Sequence, residues 1–193
     1  IDVAINIAAE SHVDNSFTSP LSFTFSNTYG AQTFLQACIQ NNAKKIIHIS
    51  SDEVYGEKLK GSNSENDIMN PTNPYSASKA AADMLVNSYK FFYKKDVIVV
   101  RANNMYGTRQ YPEKLISRSI YSFDNKSPME IHGNGKNIRH YLSVHDFVSA
   151  LVLIIKKAEK GIYNIGSEES FTNLTVIKKI AQIMKINYKK NII

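Results

Sequence analysis

The chain has a single cysteine, Cys38, in 193 residues. That excludes an internal disulfide framework and fits a reducing, cytoplasmic setting. Cys38 itself reads as a small buried hydrophobe on a helix. Long apolar runs are missing as well. Stretches such as Val97–Val100 and Leu151–Ile155 fall far short of the roughly 20 residues a membrane span needs. Residues Ile1–Ala9 lack the basic start of a secretory signal. There is no initiating Met, so the sequence reads as part of a longer protein. No internal repeat or low-complexity tract stands out. The formal charge is +6, yet no basic run is interleaved with aromatics, so a nucleic-acid partner is not expected. Lysine pairs such as Lys44/Lys45 and Lys156/Lys157 fall mostly at the ends of predicted helices, where cations complement the macrodipole. The histidines His12, His48, His132, His140 and His145 include no i,i+4 pair, and with one cysteine no metal site is expected. His48 sits inside an apolar strand and reads as a core histidine.

What is present is an ordinary globular balance, 43% hydrophobic and 21% charged, enough for one domain or slightly more. Short β-branched runs predict buried strands at Val3–Ala8, Lys45–Ser50, Val97–Arg101 and Ile162–Ile165. Helical spacing predicts helices over Leu21–Asn41, Tyr75–Tyr93, His145–Ala158 and Leu174–Met184. This alternation points to an α/β fold, a doubly wound parallel sheet covered on both faces. From about Tyr111 the pattern loosens into a smaller lobe. Polar clusters fall at the predicted strand ends, which is where an open parallel sheet binds ligands. Glu10-Ser11-His12 follows the first strand, Ser51-Asp52-Glu53 the second, and Asn103-Asn104-Met105 the third.

Tyr75 and Lys79 are four apart after Pro74, a spacing that puts both on one helical face. A nearby ammonium favours phenolate, so Lys79 is expected to lower the Tyr75 pKa and prepare it to accept a proton from an alcohol. A surface pair is the plainer alternative. Asp52 and Glu53 are adjacent acids that unequal surroundings could divide into an acid and a base, as elimination of water requires. An ordinary acidic turn has the same sequence. Gly133-Asn134-Gly135 reads as a turn, not a dinucleotide fingerprint. Arg139 just past it offers a planar fork for phosphate, or is simply a surface arginine.

Six strings together resemble the extended short-chain dehydrogenase/reductase superfamily, and within it the dTDP- and UDP-glucose 4,6-dehydratases. They are Ala8–Asp14, Ser50–Gly56, Pro74–Lys79, Pro112–Ile116, Gly133–Arg139 and Tyr163–Gly166. The resemblance implies a Rossmann-like domain, N-terminally incomplete here because the glycine-rich strand–turn–helix is not among these residues. Residues 1–110 would be the later part of the NAD-binding domain. Residues 111–193 would be mainly a smaller substrate-binding lobe, with 138–165 partly returning to the main sheet. The implied cofactor is NAD, lined by Ile7, Ala8, Ala9, Ser11, Ser26, Tyr75, Lys79 and Met105. The implied catalytic set is Ser51, Asp52, Glu53, Tyr75, Lys79 and the helix asparagine Asn27. Tyr75 would deprotonate the glucose 4-hydroxyl, Glu53 would remove the C5 proton, Asp52 would protonate the departing 6-hydroxyl, and Ser51 would bond the 4-oxygen. The nucleotide-diphosphate sugar would be held by Ser11, Ser51, Asn104, Lys114, Leu115, Ile116, Arg139 and Asn173. A homodimer through Leu21–Asn41 and Tyr75–Tyr93 is also implied. Nucleotide-sugar 4-epimerases and decarboxylases are the enzymatic alternatives, and a non-catalytic nucleotide-sugar binding or scaffolding module is the alternative of another class. Asp52 followed by Glu53 favours the dehydratase.

Overall fold

A computed structural model describes residues 1–58, 61–129, 131 and 133–187; His132 therefore lies outside the described residues. The strands are β1 (Val3–Asn6), β2 (Lys45–Ser51), β3 (Asp96–Ala102), β4 (Asn104–Tyr106), β5 (Ile138–Ser143), β6 (Gly161–Ile165) and β7 (Ser170–Thr172). The helices are α1 (Val13–Thr18), α2 (Pro20–Phe23), α3 (Gly30–Gln40), α4 (Pro74–Tyr93), α5 (Leu115–Asp124), α6 (Val144–Lys157) and α7 (Asn173–Ile183). The chain forms two compact units, the first of Ile1–Asn103 with Phe147–Ile165, the second of Asn104–Asp146 with Gly166–Ile193.

The first unit is a parallel sheet in the order β1-β2-β3-β6 with flanking helices, a Rossmann-like α/β arrangement. Parallel strands need long crossovers, and the helices between them supply these. Ile46 and Ile47 of β2 are both fully buried although neighbouring strand residues point to opposite faces. Both faces of the sheet are therefore covered, which is why its strands read as continuous apolar runs. On one face Leu35 and Cys38 of α3, Val86 and Tyr89 of α4, Ile46 of β2, and Val97 and Val99 of β3 form the core. Each such side chain contributes about 1.5–3 kcal/mol by leaving water.

The expected helix over Leu21–Asn41 is interrupted. Between α2 and α3 lies a π-helical turn, Thr24–Tyr29, whose flanking residues keep right-handed helical backbone. A π-turn packs an extra residue into one turn and re-aims the side chains there. Here it holds the buried Asn27. Strand β1 ends at Asn6, two residues before the expected Ala8.

In the second unit β4 pairs parallel with β5, and β5 pairs antiparallel with β7. Phe123 of α5, Met129, and Ile177 and Ala181 of α7 make its core. Neither these short strands nor α5 is evident from periodicity: the strands carry three to six residues, and α5 intersperses its apolar positions with three serines. Arg139, expected just past a turn, lies within β5. No helix among the described residues is long and apolar enough to cross a membrane.

Candidate active site

The Ser51–Glu53 segment is positioned by the register of β2 on β3, in which Ser51 pairs with Ala102. Strand β2 then tightens into a 3-10 turn, Asp52–Tyr55, capped by Ser51. The Ser51 hydroxyl accepts the Glu53 N–H at 3.2 Å and donates to Asp52 Oδ1 at 3.3 Å. Asn103, just beyond β3, donates from Nδ2 to Asp52 Oδ2 at 2.7 Å. Asn73 donates from Nδ2 to Glu53 Oε2 at 3.2 Å. The two acids thus have different partners. Burial pushes the Asp52 carboxyl above its usual range, the Asn103 hydrogen bond opposes this, and the neighbouring Glu53 charge adds to it.

Helix α4 begins as Pro74 suggests, with proline in its first turn. Asn73 accepts the Ser76 N–H at 2.8 Å, while Ser76 Oγ accepts the Asn73 N–H at 3.2 Å. This reciprocal cap fixes the entry of the chain, and with it Tyr75. The Tyr75 ring meets Phe23 edge-on at 6.4 Å. Burial pushes its phenol up to about 12; the Ser51 hydroxyl pulls it down, and the charges of Glu53, Asp52 and Asp83 raise it further. The expected lowering by Lys79 is therefore not what the protein alone displays. Desolvation is the largest influence on the phenol, and Lys79 Nζ donates to the Ile49 carbonyl at 2.7 Å. Lys79 is itself pushed down to about 8 by burial, with the Asp83 charge holding it up.

Asn27, on the π-turn, joins three segments. Its Oδ1 accepts the Glu10 N–H at 2.8 Å, and its Nδ2 donates to the Glu10 carbonyl and to Ser78 Oγ, each at 2.9 Å. The loop after β1 is thereby tied to α4 beside Lys79. In that loop Ile7, Ala8 and Ala9 are exposed and Ser11 is half-buried; Ser26 is exposed on the π-turn.

The remaining predicted residues lie in the second unit. Asn104 of β4 pairs with Tyr141 of β5. Asn173, opening α7, accepts the Tyr141 hydroxyl at 3.3 Å. Arg139 shares the Tyr141 face two residues earlier, and its charge lowers a Tyr141 phenol that burial raises. Asn104, Arg139 and Asn173 are thus gathered around one tyrosine that sequence reading did not single out. The Met105 carbonyl accepts Gln110 Nε2 at 2.7 Å. Lys114 is the N-cap residue of α5. Leu115 packs against the Phe123–Ile177 core, and Ile116 is half-buried next to it.

A buried polar network also escaped the sequence reading. Arg101 of β3 donates from Nε to Asp83 Oδ2 at 2.9 Å and from a terminal nitrogen to the Tyr55 hydroxyl at 2.8 Å. Tyr55 in turn donates to Asn164 Oδ1 at 2.8 Å. His48 is buried as expected, but only its Nδ1 has a hydrogen-bond partner among the described residues, Asn6 Nδ2 at 3.2 Å. Burial, with the Lys79 charge, pushes His48 down to about 3, so it is neutral. The signal available was spacing: Tyr75, Lys79 and Asp83 repeat every four residues along one helical stripe. An arginine inside an apolar strand was the second.

Residues 1–192 match the family described as GDP-mannose 4,6 dehydratase, and the chain belongs to that family. It is 47% identical over 195 residues to a dTDP-D-glucose 4,6-dehydratase of Dictyostelium discoideum, covering 95% of this chain and 45% of that protein. It is 41% identical to a trifunctional UDP-glucose 4,6-dehydratase/3,5-epimerase/reductase of Arabidopsis thaliana, covering 97% of this chain and 29% of that one. The chain thus spans less than half the length of these two relatives. Among solved structures it resembles the dTDP-glucose 4,6-dehydratase DesIV of Streptomyces venezuelae, crystallised with NAD bound. That match has a TM-score of 0.96 at 32% identity and covers 100% of this chain and 60% of the other.

Proposed function

We propose that the chain is part of a nucleotide-diphosphate-glucose 4,6-dehydratase acting on dTDP- or UDP-glucose with NAD. The observation that carries this reading is the pair of adjacent acids, Asp52 and Glu53, held by different asparagines in the unit that also holds Tyr75 and Lys79. Epimerisation needs no such pair. The two relatives described above bear dehydratase names, and the dehydratase DesIV was crystallised with NAD.

The residues fit a nicotinamide cofactor. The loop after β1 lies at the carboxyl end of a parallel sheet, has exposed small residues, and is anchored by Asn27 to α4. Ile7, Ala8, Ala9, Ser11, Ser26, Tyr75 and Lys79 of the first unit are the groups assigned to hold NAD. Bound there, NAD would accept hydride from C4 and return it to C6, and its ring cation would favour the Tyr75 phenolate. Tyr75 takes the proton of the 4-hydroxyl, with Ser51 bonding that oxygen. The 4-ketone acidifies C5–H, and Glu53 removes this proton. Asp52, whose raised pKa keeps it protonated to higher pH, donates to the departing 6-hydroxyl, so water leaves. As C6 regains the hydride, Glu53 returns its proton to C5, giving the 4-keto-6-deoxy sugar, and Tyr75 and Asp52 recover their starting protonation through solvent. Asn104, Lys114 to Ile116, Arg139 and Asn173 are assigned to the nucleotide diphosphate and its sugar; in support, Arg139 offers a planar fork whose charge acts on Tyr141, the hydroxyl of which bonds Asn173.

A second copy of the chain is the proposed partner. Phe25 and Tyr29 stack at 5.1 Å, both largely exposed. Leu21, Met84, Phe91 and Phe92 are exposed on the same two helical segments. Apolar area of that kind is an interaction surface. The lone, buried thiol suits a cytoplasmic enzyme.

The test is incubation of the full-length protein with dTDP-glucose and UDP-glucose, followed by mass spectrometry and NMR. A product 18 mass units lighter, with a new 6-methyl signal, is expected from the loss of one water. A C4 epimer of unchanged mass overturns the dehydratase reading in favour of an epimerase. Binding without any product points to the non-catalytic module.

A further inference from the structure

Behind the reacting groups lies a set of buried charges that the chemistry above leaves unused. Asp83 is one helical turn beyond Lys79 on α4, and both are 3% exposed. Arg101, 4% exposed, reaches Asp83 from β3 at 2.9 Å and stands over the Tyr55 ring at 4.7 Å. The Arg101 guanidinium therefore has its direction fixed twice, by a carboxylate and by an aromatic face. His48 Nε2 comes within 3.8 Å of Asp83 Oδ1.

Burying an ammonium is unfavourable unless a countercharge accompanies it. The acceptor that Lys79 Nζ reaches, the Ile49 carbonyl, is neutral. The countercharge must then come from the groups around it. These are Asp83 on its own helix, His48 on β2, Arg101 on β3, Tyr55, Asp52 and Glu53 in the turn after β2, and Tyr75. His48 is neutral, Arg101 has the wrong sign, and Tyr75 keeps its proton. Only Asp83 raises the proton affinity of Lys79. A charge that deep acts unscreened by salt.

We propose that Asp83 is a positioning residue for the reaction: held by Arg101, its carboxylate keeps Lys79 an ammonium that stays hydrogen-bonded to Ile49, one turn from Tyr75. Arg101 orients that carboxylate through their 2.9 Å ion pair, while its own positive charge works against that of Lys79. That this matters for turnover rests on the dehydratase reading; that Asp83 sets the charge of Lys79 does not.

The experiment follows the Lys79 titration in the full-length protein by NMR of lysine labelled with carbon-13 at Cε. The signal is the one lost in Lys79→Met. Three variants are compared: Asp83→Asn, Arg101→Gln, and the two together. The double variant replaces a buried ion pair by two neutral groups that can still bond, so it stays foldable if Asp83→Asn alone is not. The expected result is a midpoint lowered by at least about one pH unit, a tenfold loss of proton affinity, wherever the carboxylate alone is removed: Asp83→Asn against the parent, and the double variant against Arg101→Gln. Arg101→Gln by itself should not lower it. An unchanged midpoint in either comparison overturns the proposal. So does an equal fall in Arg101→Gln, since a merely structural role would move both alike. In active protein the alkaline limb of kcat should move with the midpoint; a limb that stays while the midpoint moves overturns the positioning role. If no sugar product forms at all, the functional reading fails while the titration still decides the role of Asp83 toward Lys79.

Discussion

Asn73 holds Glu53: the same side chain that caps α4 by accepting the Ser76 N–H donates its Nδ2 to Glu53 Oε2. The start of the helix that carries Tyr75 and the carboxylate assigned to C5–H are therefore set by one residue. Two substitutions separate the two roles. Asn73→Asp keeps the cap but turns a donor into a like charge facing Glu53. Its stability in urea should hold, while kcat falls at least about tenfold. Asn73→Ala should lose about 0.5–2 kcal/mol of stability as well. Equal losses of stability in both would refute the separation.

The two acids should fail in distinguishable ways. Glu53→Gln is expected to lower kcat about 10²–10⁴-fold while deuterium at C5 of the substrate stays unexchanged in water. Asp52→Asn is expected to slow elimination but still allow that exchange, because removal of the C5 proton precedes loss of the 6-hydroxyl. Substrate binding, measured by calorimetry, should change little in either.

His48 makes an acid-sensitive contribution to stability. Its folded pKa, about 3, lies below its unfolded value of 6.5. The unfolded chain therefore binds more protons between those values, and stability present above pH 6.5 is lost as pH falls toward 3. The slope from this residue approaches about 1.4 kcal/mol per pH unit. Asp52 and Asp83, whose carboxyls are raised, work in the opposite sense over the acid range. The comparison that isolates the histidine is His48→Asn against the parent in urea at pH 7, 6 and 5. The variant should show the shallower loss on acidification; parallel curves would count against a buried neutral His48.

Gly56 closes the turn that bears the acids. Its φ is +76°, and an added Cβ would run into the Asn70 carbonyl, which is backbone and cannot swing aside. Gly56→Ala should cost at least about 1–3 kcal/mol, read as a lowered urea midpoint. Gly133→Ala, also at positive φ but with nothing among the described residues within 4 Å of the new methyl, should cost less.

The sequence by itself determined the sheet and its helices. Lys45–Ser50 and Val97–Arg101 could be read as strands because both of their faces are buried, and burial on both faces leaves an unbroken apolar run. It also placed Asp52 and Glu53 at a strand end and Tyr75 and Lys79 at a helix start, where the structure has them. Tertiary structure decided the rest. Whether Lys79 lowers the Tyr75 pKa depends on desolvation, which spacing along one helix does not encode. Asn73, Asn103, Asp83 and Arg101 matter through partners as many as 51 residues away, pairings that only the register of the sheet brings about. A period of four tells which side chains share a face; what that face is pressed against is settled when the chain closes on itself.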